Sequence, residues 1–208
     1  MSDTSGGTQS VAPPLLIFIR HGQTDWNAES RMQGHQDIVL NDTGREQARR
    51  NGRALKAYFE GASFSQDAFH FASSPMLRTL ETMRLVCEEL GRGDDGFTID
   101  ERLREITFGA WEGLTIPELK ERSPELVAQR KADKWAFVPP EGESYKMLSR
   151  RIEAWLATVT RPTVVVSHGG VMRVVRGLLL GIPTAEIPTL DVPQDQFFVW
   201  DGSSLDWV

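Results

Sequence analysis

The sequence predicts an α/β fold, a three-layer α/β/α sandwich with a largely parallel central sheet. Short apolar runs typical of buried strands alternate along the chain with longer segments that have the periodicity and capping residues of helices. Such alternation is typical of strand–helix–strand units, whose strands lie parallel. The chain has 208 residues, of which 40% are hydrophobic and 25% charged, so it can bury the core of one domain.

The first half of the chain supplies three predicted strands and two predicted helices. An apolar run at 15–19 indicates a buried strand, and a polar loop follows at 24–37. Thr43 and Glu46 have the spacing of a capping box, which predicts a helix through about Phe59. The remaining elements are a strand at 68–72, a helix that starts at Ser73-Ser74-Pro75 and runs to about Leu90, and a short strand at 97–100.

The second half begins with a loop at 103–113 that carries several candidate functional residues. A segment at 115–137 has the pattern of short helices broken at Ser123-Pro124, with a capping box formed by Thr115 and Glu118. We expect an insert at about 114–140 to form a small helical cap on a single domain that spans 15–208. The remaining elements are a helix at about 144–158 capped by Ser144, a strand at 163–166, a helix at about 170–180 and a last strand at 196–200.

Composition and charge argue against several classes of protein. A net charge of −6 disfavours a general nucleic-acid binder. The single cysteine, Cys87, allows no intrachain disulfide and favours a reducing compartment. Residues 1–14 lack the basic start and apolar core of a signal peptide, so we expect a flexible tail there, and no apolar stretch approaches the ~20 residues of a membrane span. We therefore expect a cytoplasmic protein that binds neither nucleic acid nor membrane.

Two histidines follow predicted strands, and each is followed by glycine. Arg20-His21-Gly22 comes directly after the first strand, and Ser167-His168-Gly169 comes directly after the strand at 163–166. Because reactive groups collect at the carboxyl ends of strands in α/β proteins, the two histidines can share one site. The arginine beside His21 indicates an anionic substrate. Phosphate is favoured, since guanidinium matches its geometry bidentately.

Four motifs in register resemble those of a known family. They are Arg20-His21-Gly22, the Ser73-Ser74-Pro75 helix start with Arg78, Glu105 in the segment that ends at Gly113, and Ser167-His168-Gly169. In order and approximate spacing they resemble the histidine phosphatase superfamily, also called phosphoglycerate mutase-like, from Ile17 to about Gly181. The resemblance implies a metal-independent phosphomonoesterase that acts through a phosphohistidine on a small phosphorylated metabolite.

The resemblance also implies a role for each matching residue. His21 is the expected nucleophile, which requires a neutral imidazole, whereas His168 is expected to be cationic. Glu105 matches the general acid, which protonates the leaving alkoxide and then accepts a proton from the attacking water. The phosphate pocket is expected to consist of Arg20, Asn27, Arg78, His168 and Gly169.

Structural alternatives exist for these residues. A single histidine at a strand end is more often structural than catalytic, and only the joint pattern favours catalysis. Glu101 and Glu112 compete with Glu105 for the acid role, because a carboxylate in a loop is commonly just exposed. Four further residues stay open. His35 either lines the mouth of the site or, as a histidine in a polar loop more often is, is solvated, and His70 is expected to be structural. Arg173 and Arg176 either line the pocket or pair with surface carboxylates.

The sequence is compatible with three functional classes. A phosphatase is favoured, because the insert is shorter than that of the family's glycolytic mutases and the chain ends soon after its last predicted strand. Mutase-type phosphoryl transfer is the alternative, and a non-catalytic phospholigand-binding module is disfavoured because His21, Glu105 and His168 are all present. The histidines show no metal-ligand spacing, so no metal or cofactor is expected. A small phosphorylated substrate is the expected partner, and a homodimer is compatible with the sequence.

Overall fold

A six-stranded sheet forms the centre of the computed structural model, which describes residues 14–93 and 96–208. The strands are β1 (Leu16–Arg20), β2 (His70–Ser73), β3 (Thr98–Ile99), β4 (Thr163–Ser167), β5 (Phe197–Trp200) and β6 (Leu205–Trp207). Their order is β3-β2-β4-β1-β5-β6, in which the first four run parallel while β5 and β6 pair antiparallel. The predicted α/β class with a largely parallel sheet is confirmed. The expected tail at 1–14 lies outside the described residues, apart from Pro14.

Seven α-helices flank the strands within the described part of the chain. They are α1 (Asp25–Ala28), α2 (Asp42–Gly61), α3 (Leu77–Glu89), α4 (Ile116–Arg122), α5 (Pro124–Ala132), α6 (Tyr145–Leu156) and α7 (Gly169–Leu180). The predicted break at Ser123-Pro124 separates α4 from α5, the Thr115 capping box forms, and Ser144 caps α6. Of these helices, none has the length and apolar character needed to cross a membrane.

Alternate residues of the central strands face two separate apolar cores. In β1, Leu16 and Phe18 belong to one core, whereas Ile17 and Ile19 belong to the other. Apolar residues of α6 and α7 complete the first core, and those of α2 and α3, Cys87 among them, complete the second. Because the two helix pairs cover opposite faces of the sheet, the fold is the expected three-layer sandwich.

Two helix starts and one strand differ from the prediction. The N-cap of α2 is Asn41, whose side chain accepts from Gly44 N at 2.9 Å, so the predicted Thr43–Glu46 capping box is wrong. At α3, Asp37 of the preceding polar loop accepts from Leu77 N at 2.7 Å, and Ser73-Ser74-Pro75 comes before the helix instead of capping it. At α3, a carboxylate oxygen from a distant loop therefore accepts from the helix N-terminus in place of a local cap. Strand β6 was not predicted at all.

The topology determines where the histidines meet. β1 and β4 are parallel neighbours, so His21 and His168, each directly after its strand, lie at the same edge of the sheet. Ser74 follows β2, which is the neighbour of β4 on the other side. Gly22 packs against Gly44 at the start of α2, and a Cβ at Gly22 would overlap the Gly44 carbonyl oxygen. This close approach of two backbones fixes the loop after β1 against α2.

Candidate active site

His21 and His168 lie against each other in the interior of the protein. Their ring centroids are 5.2 Å apart and their ring planes are inclined at 65°. The two residues are 3% and 0% exposed, respectively. The main chain reinforces the pair, because His21 N donates to Ser167 O at 2.9 Å. The structure therefore brings together the two strand-end histidines.

The His21 ring has a defined tautomer. Its Nδ1 lies 2.7 Å from the Gly22 carbonyl oxygen, which can only accept, so Nδ1 carries the proton and Nε2 presents a lone pair. Burial lowers the pKa of His21 well below 6.5, and the guanidinium groups of Arg78 and Arg20 lower it further. A neutral imidazole with a free Nε2 is the form that a nucleophile requires.

His168 has a similar environment, which corrects the expectation that it is cationic. Its Nε2 lies 2.7 Å from Ser74 Oγ, and its buried Nδ1 has no hydrogen-bond partner among the described residues. Burial lowers the pKa of His168 well below 6.5, with further lowering by Arg78, His21 and Arg20. The sequence could not show this, because the two arginines that disfavour a second positive charge come from distant segments. An incoming phosphate dianion would reverse that field and favour the imidazolium.

Carbonyl oxygens hold two guanidinium groups in place, that of the partly buried Arg20 and that of Arg78. Arg78 is fully buried and donates to Gly34 O and Gln36 O, both at 2.8 Å. Arg20 Nη1 donates to a carbonyl oxygen of the segment before β5 at 2.6 Å, and burial lowers the pKa of Arg20 to about 10. The Nε atoms of both arginines are buried without a partner in the described chain. Because carbonyl oxygens leave the positive charges in place, this pocket is built to attract an anion.

Glu105, and neither competing glutamate, lies at this pocket. Its carboxylate accepts from Gly170 N at 3.1 Å and from Ile106 N at 3.0 Å, at the first turn of α7. A Cβ at position 170 would lie 2.5 Å from Glu105 Oε1, so only glycine allows this contact. Glu101 is exposed and paired with Arg104, and Glu112 Oε1 accepts from the loop groups His35 N, Thr107 Oγ1 and Phe108 N.

A pocket of about 360 Å³ joins these groups. His21, Arg20, Arg78 and Glu105 line it together with Asn27 and Gly169. The parallel order of β2, β4 and β1 brings the carboxyl ends of these strands together at one edge of the sheet. The family model of the histidine phosphatase superfamily (branch 1) matches residues 16–200.

The chain belongs to the histidine phosphatase superfamily. Curated relatives include glucosyl-3-phosphoglycerate phosphatase of Mycolicibacterium vanbaalenii, 33% identical over 188 residues that cover 84% of this chain and 78% of that protein. A 2,3-bisphosphoglycerate-dependent phosphoglycerate mutase of Parvibaculum lavamentivorans is 33% identical over 168 residues, 77% of each chain. The superfamily thus comprises phosphoryl-transferring enzymes, and relatives of this chain include both phosphatases and mutases.

Solved structures of superfamily members resemble this one over nearly the whole chain. The mycobacterial glucosyl-3-phosphoglycerate phosphatase in complex with VO3 has a TM-score of 0.73 and 29% identity, covering 94% of this chain and 96% of that one. The α-ribazole phosphatase from Shigella flexneri has a TM-score of 0.75 and 26% identity, covering 89% of each chain. Both neighbours are phosphatases by name.

Three residues at or near the pocket of this superfamily member were not predicted in the positions that the structure gives them. Gln33 is buried at its wall, and its Oε1 has no partner among the described residues. Ser74 contacts His168, although the sequence suggested a helix cap. Gln194 donates to the His21 carbonyl oxygen at 3.1 Å. Loop glutamines have no periodicity that marks them, and only the packed loops show their position.

The residues left open by the sequence divide between the pocket and other surfaces. His35 is exposed, as expected, and its Nε2 lies 3.0 Å from Glu105 O. His70 contacts Arg161 and Thr98 near the start of β2, at the opposite end of the sheet. Arg173 lines the pocket, whereas Arg176 lies over the Trp207 ring at 5.0 Å. Across 14–93 and 96–208, no group of three or more His, Cys, Asp or Glu side chains is arranged to hold a metal ion.

The two buried histidines should make stability depend on pH. Their folded-state pKa values are lowered, so below about pH 6.5 the unfolded chain takes up protons that the folded protein does not. Stability is then complete above that pH and falls below it, by about 1.4 kcal/mol per pH unit for each histidine that stays neutral. Urea unfolding between about pH 7.5 and about pH 5 measures this slope. His168→Gln should make it shallower, and an unchanged slope would contradict the assignment.

Proposed function

We propose that this protein is a phosphomonoesterase that acts through a phosphohistidine at His21 on a small phosphorylated metabolite. One observation carries the proposal. Around a single pocket the chain presents the His21 Nε2 lone pair and two buried donors that lack partners in the described residues, Nε of Arg20 and Nε of Arg78, and the His168 ring lies 5.2 Å from that of His21. A tetrahedral phosphoryl group has oxygens to accept from these donors and a phosphorus atom for Nε2 to attack.

The reaction proceeds in two displacements. In the first, the Nε2 lone pair of His21 forms a bond to phosphorus while the ester P–O bond breaks, and Glu105 gives its proton to the leaving oxygen. In the second, the Glu105 carboxylate takes a proton from water, whose oxygen attacks phosphorus as the P–Nε2 bond breaks. Inorganic phosphate and a neutral His21 result. Arg20, Arg78 and His168 stabilise the charge on the phosphoryl oxygens in both steps.

We also propose that the helical insert at 114–140 serves as a cap over this pocket within one domain, 15–208. Arg130 on α5 lines the same pocket as His21. Arg31, next to the pocket, ties the insert to the loop after α1, because its Nη1 donates to Gly113 O at 2.7 Å and contacts Glu118 at 3.1 Å. Residues on the cap therefore have direct access to the part of the substrate that leaves.

The cap and α7 bring three cationic side chains together beyond the phosphoryl site. Arg130, Lys134 and Arg173 have no carboxylate partner within the described chain. Burial lowers the pKa of Arg130, and the charge of Arg173 lowers it further. The pKa of Lys134 is lowered to about 8, mainly by burial and further by the charges of Arg130 and Arg173. Arg130 also lines a neighbouring cavity of about 480 Å³. Since Arg20 and Arg78 already serve a phosphoryl dianion, these further cations favour a substrate whose leaving group is itself acidic.

Product analysis distinguishes a phosphatase from a mutase, the second candidate that the Parvibaculum relative favours. The protein is incubated with 3-phosphoglycerate and a chelator, and both inorganic phosphate and 2-phosphoglycerate are followed. Release of inorganic phosphate supports the proposal. Formation of 2-phosphoglycerate without phosphate release would assign the mutase reaction, and turnover that needs a divalent ion would overturn the mechanism.

Arg130→Gln should selectively impair acidic substrates. We expect kcat/KM for 3-phosphoglycerate to fall at least ~10-fold, because a charge-assisted contact contributes about 1.5–3 kcal/mol. Glycerol 3-phosphate, which has a hydroxymethyl group in place of the carboxylate, should change less than ~3-fold. Arg122→Gln, an exposed arginine on α4, is the matched control. Equal losses for the two esters would refute an acidic leaving-group site, while leaving the phosphatase assignment intact.

A further inference from the structure

Gln194 connects two parts of the phosphoryl site that are distant in sequence. It lies in the segment before β5, and its Nε2 donates to the His21 carbonyl oxygen at 3.1 Å and to Asn27 Oδ1 at 3.2 Å. His21 directly follows β1, whereas Asn27 lies on the short helix α1. One side-chain amide thus bridges the backbone of the nucleophile and a side chain that lines the pocket.

These contacts define which way both amides point. A carbonyl oxygen can only accept, so the atom of Gln194 that faces His21 O must be the amide nitrogen. That nitrogen needs an oxygen on Asn27, and Thr24 N, a donor 3.1 Å away, requires an oxygen at the same place. Thr24 Oγ1 lies 3.2 Å from this oxygen as well. Asn27 Nδ2 must therefore occupy the opposite side of the carboxamide, and it has no partner among the hydrogen bonds of the described residues.

Gln194 is itself fixed by a buried residue of another helix. Asn51 on α2 is 1% exposed, and its Nδ2 donates to the Gln194 carbonyl oxygen at 3.1 Å. A buried amide is expensive to leave without partners, so this contact holds the segment in place. The bridge from α2 through Gln194 to Asn27 is consequently a fixed part of the fold.

We propose that Gln194 is a positioning residue, which holds the Asn27 carboxamide against His21 so that Asn27 Nδ2 donates to a phosphoryl group at His21 Nε2. The donor itself belongs to the proposed function on which this inference rests, and the new element is the control of its position by Gln194. Thr24 alone fixes only the rotation of the carboxamide. Gln194 adds the link to the His21 backbone, and this sets the donor at a constant distance from the nucleophile.

A double-mutant cycle on phosphate binding tests this proposal. The affinity for inorganic phosphate is measured by calorimetry in Gln194→Ala, in Asn27→Ala and in the double variant. We expect each single variant to bind about 10-fold more weakly, the loss of one hydrogen bond to a charged ligand. If Gln194 acts through Asn27, the double variant binds within about twofold of Asn27→Ala. Independent losses that multiply to about 100-fold would overturn the proposal, as would unchanged binding in Gln194→Ala.

Two further variants separate positioning from folding. Gln194→Met preserves the size of the side chain but cannot donate, so it should lose phosphate affinity like Gln194→Ala while it still unfolds in one cooperative thermal transition, which shows that the fold is intact. Gln196→Ala changes an exposed neighbour and should retain full affinity. Wild-type affinity in Gln194→Met would refute the role of the amide. Since calorimetry needs no turnover, a protein that binds phosphate through this bridge but hydrolyses no ester would disprove the proposed function and not the bridge.

Discussion

His21→Ala should abolish formation of a phosphoenzyme. In the wild-type protein, rapid quenching during turnover of a labelled ester is expected to trap a phosphoryl group that is labile in acid and stable in base, as a phosphoramidate on imidazole is. His21 lines the pocket and presents a free Nε2, because its Nδ1 donates to Gly22 O at 2.7 Å. Without it, turnover should fall by a factor on the order of 10⁴ or more.

The control for this experiment is a histidine outside the pocket. His70→Ala removes a ring that contacts Arg161 and Thr98, and it should leave the trapped label unchanged. His168→Ala should reduce the amount of label through weaker phosphoryl binding, because its ring lies beside that of His21. Label that persists in His21→Ala would reject the assignment of the nucleophile.

The loss of rate caused by Glu105→Gln should depend strongly on the leaving group. A general acid matters in proportion to how poorly the leaving group departs without a proton, so phosphorylation of His21 by an alkyl phosphate should slow by about 10²–10⁴-fold. p-Nitrophenyl phosphate, whose phenolate departs readily, should lose much less in this step. The measurement is single-turnover phosphoenzyme formation with both esters, since the same carboxylate also activates water in the second step and steady-state rates would mix the two.

Glu101→Gln and Glu112→Gln are the controls for this prediction. Glu101 is exposed and paired with Arg104, so its replacement should leave both rates unchanged. Glu112 holds the loop groups Thr107 Oγ1 and Phe108 N, so its loss should lower stability and affect both esters alike. A loss that depends on the leaving group in either control, or an equal loss for both esters in Glu105→Gln, would move the acid role elsewhere.

The sequence predicted those parts of the site that follow directly from strand pattern and order. A strand that is buried on both sides shows as an apolar run, and the residue after it lies at the sheet edge, which sufficed to place His21 and His168 together. Glu105 was chosen over its neighbours by spacing, and the structure places it at the pocket.

The sequence could not predict features that depend on contacts between distant segments. Asp37 caps α3 from a separate loop, so the nearby serines misled the prediction of its start. Burial lowers the pKa of His168, and Arg78 and Arg20, which approach it only after folding, lower it further. Gln194 carries no local signal, because its partners lie more than a hundred residues away in the chain.

Carbonyl oxygens hold the guanidinium groups of Arg20 and Arg78, and neither group forms an ion pair within the described residues, although the Glu105 carboxylate lies at the same pocket. Under the proposed function, inorganic phosphate is the product and would bind to these guanidinium groups, so the protein would be most stable when it is inhibited. A ligand present at 100 times its dissociation constant adds about 2.7 kcal/mol to the free energy of unfolding. Phosphate buffer should therefore raise the melting temperature while lowering turnover, and under the proposed function each catalytic cycle would end with release of the anion that most stabilises the folded state.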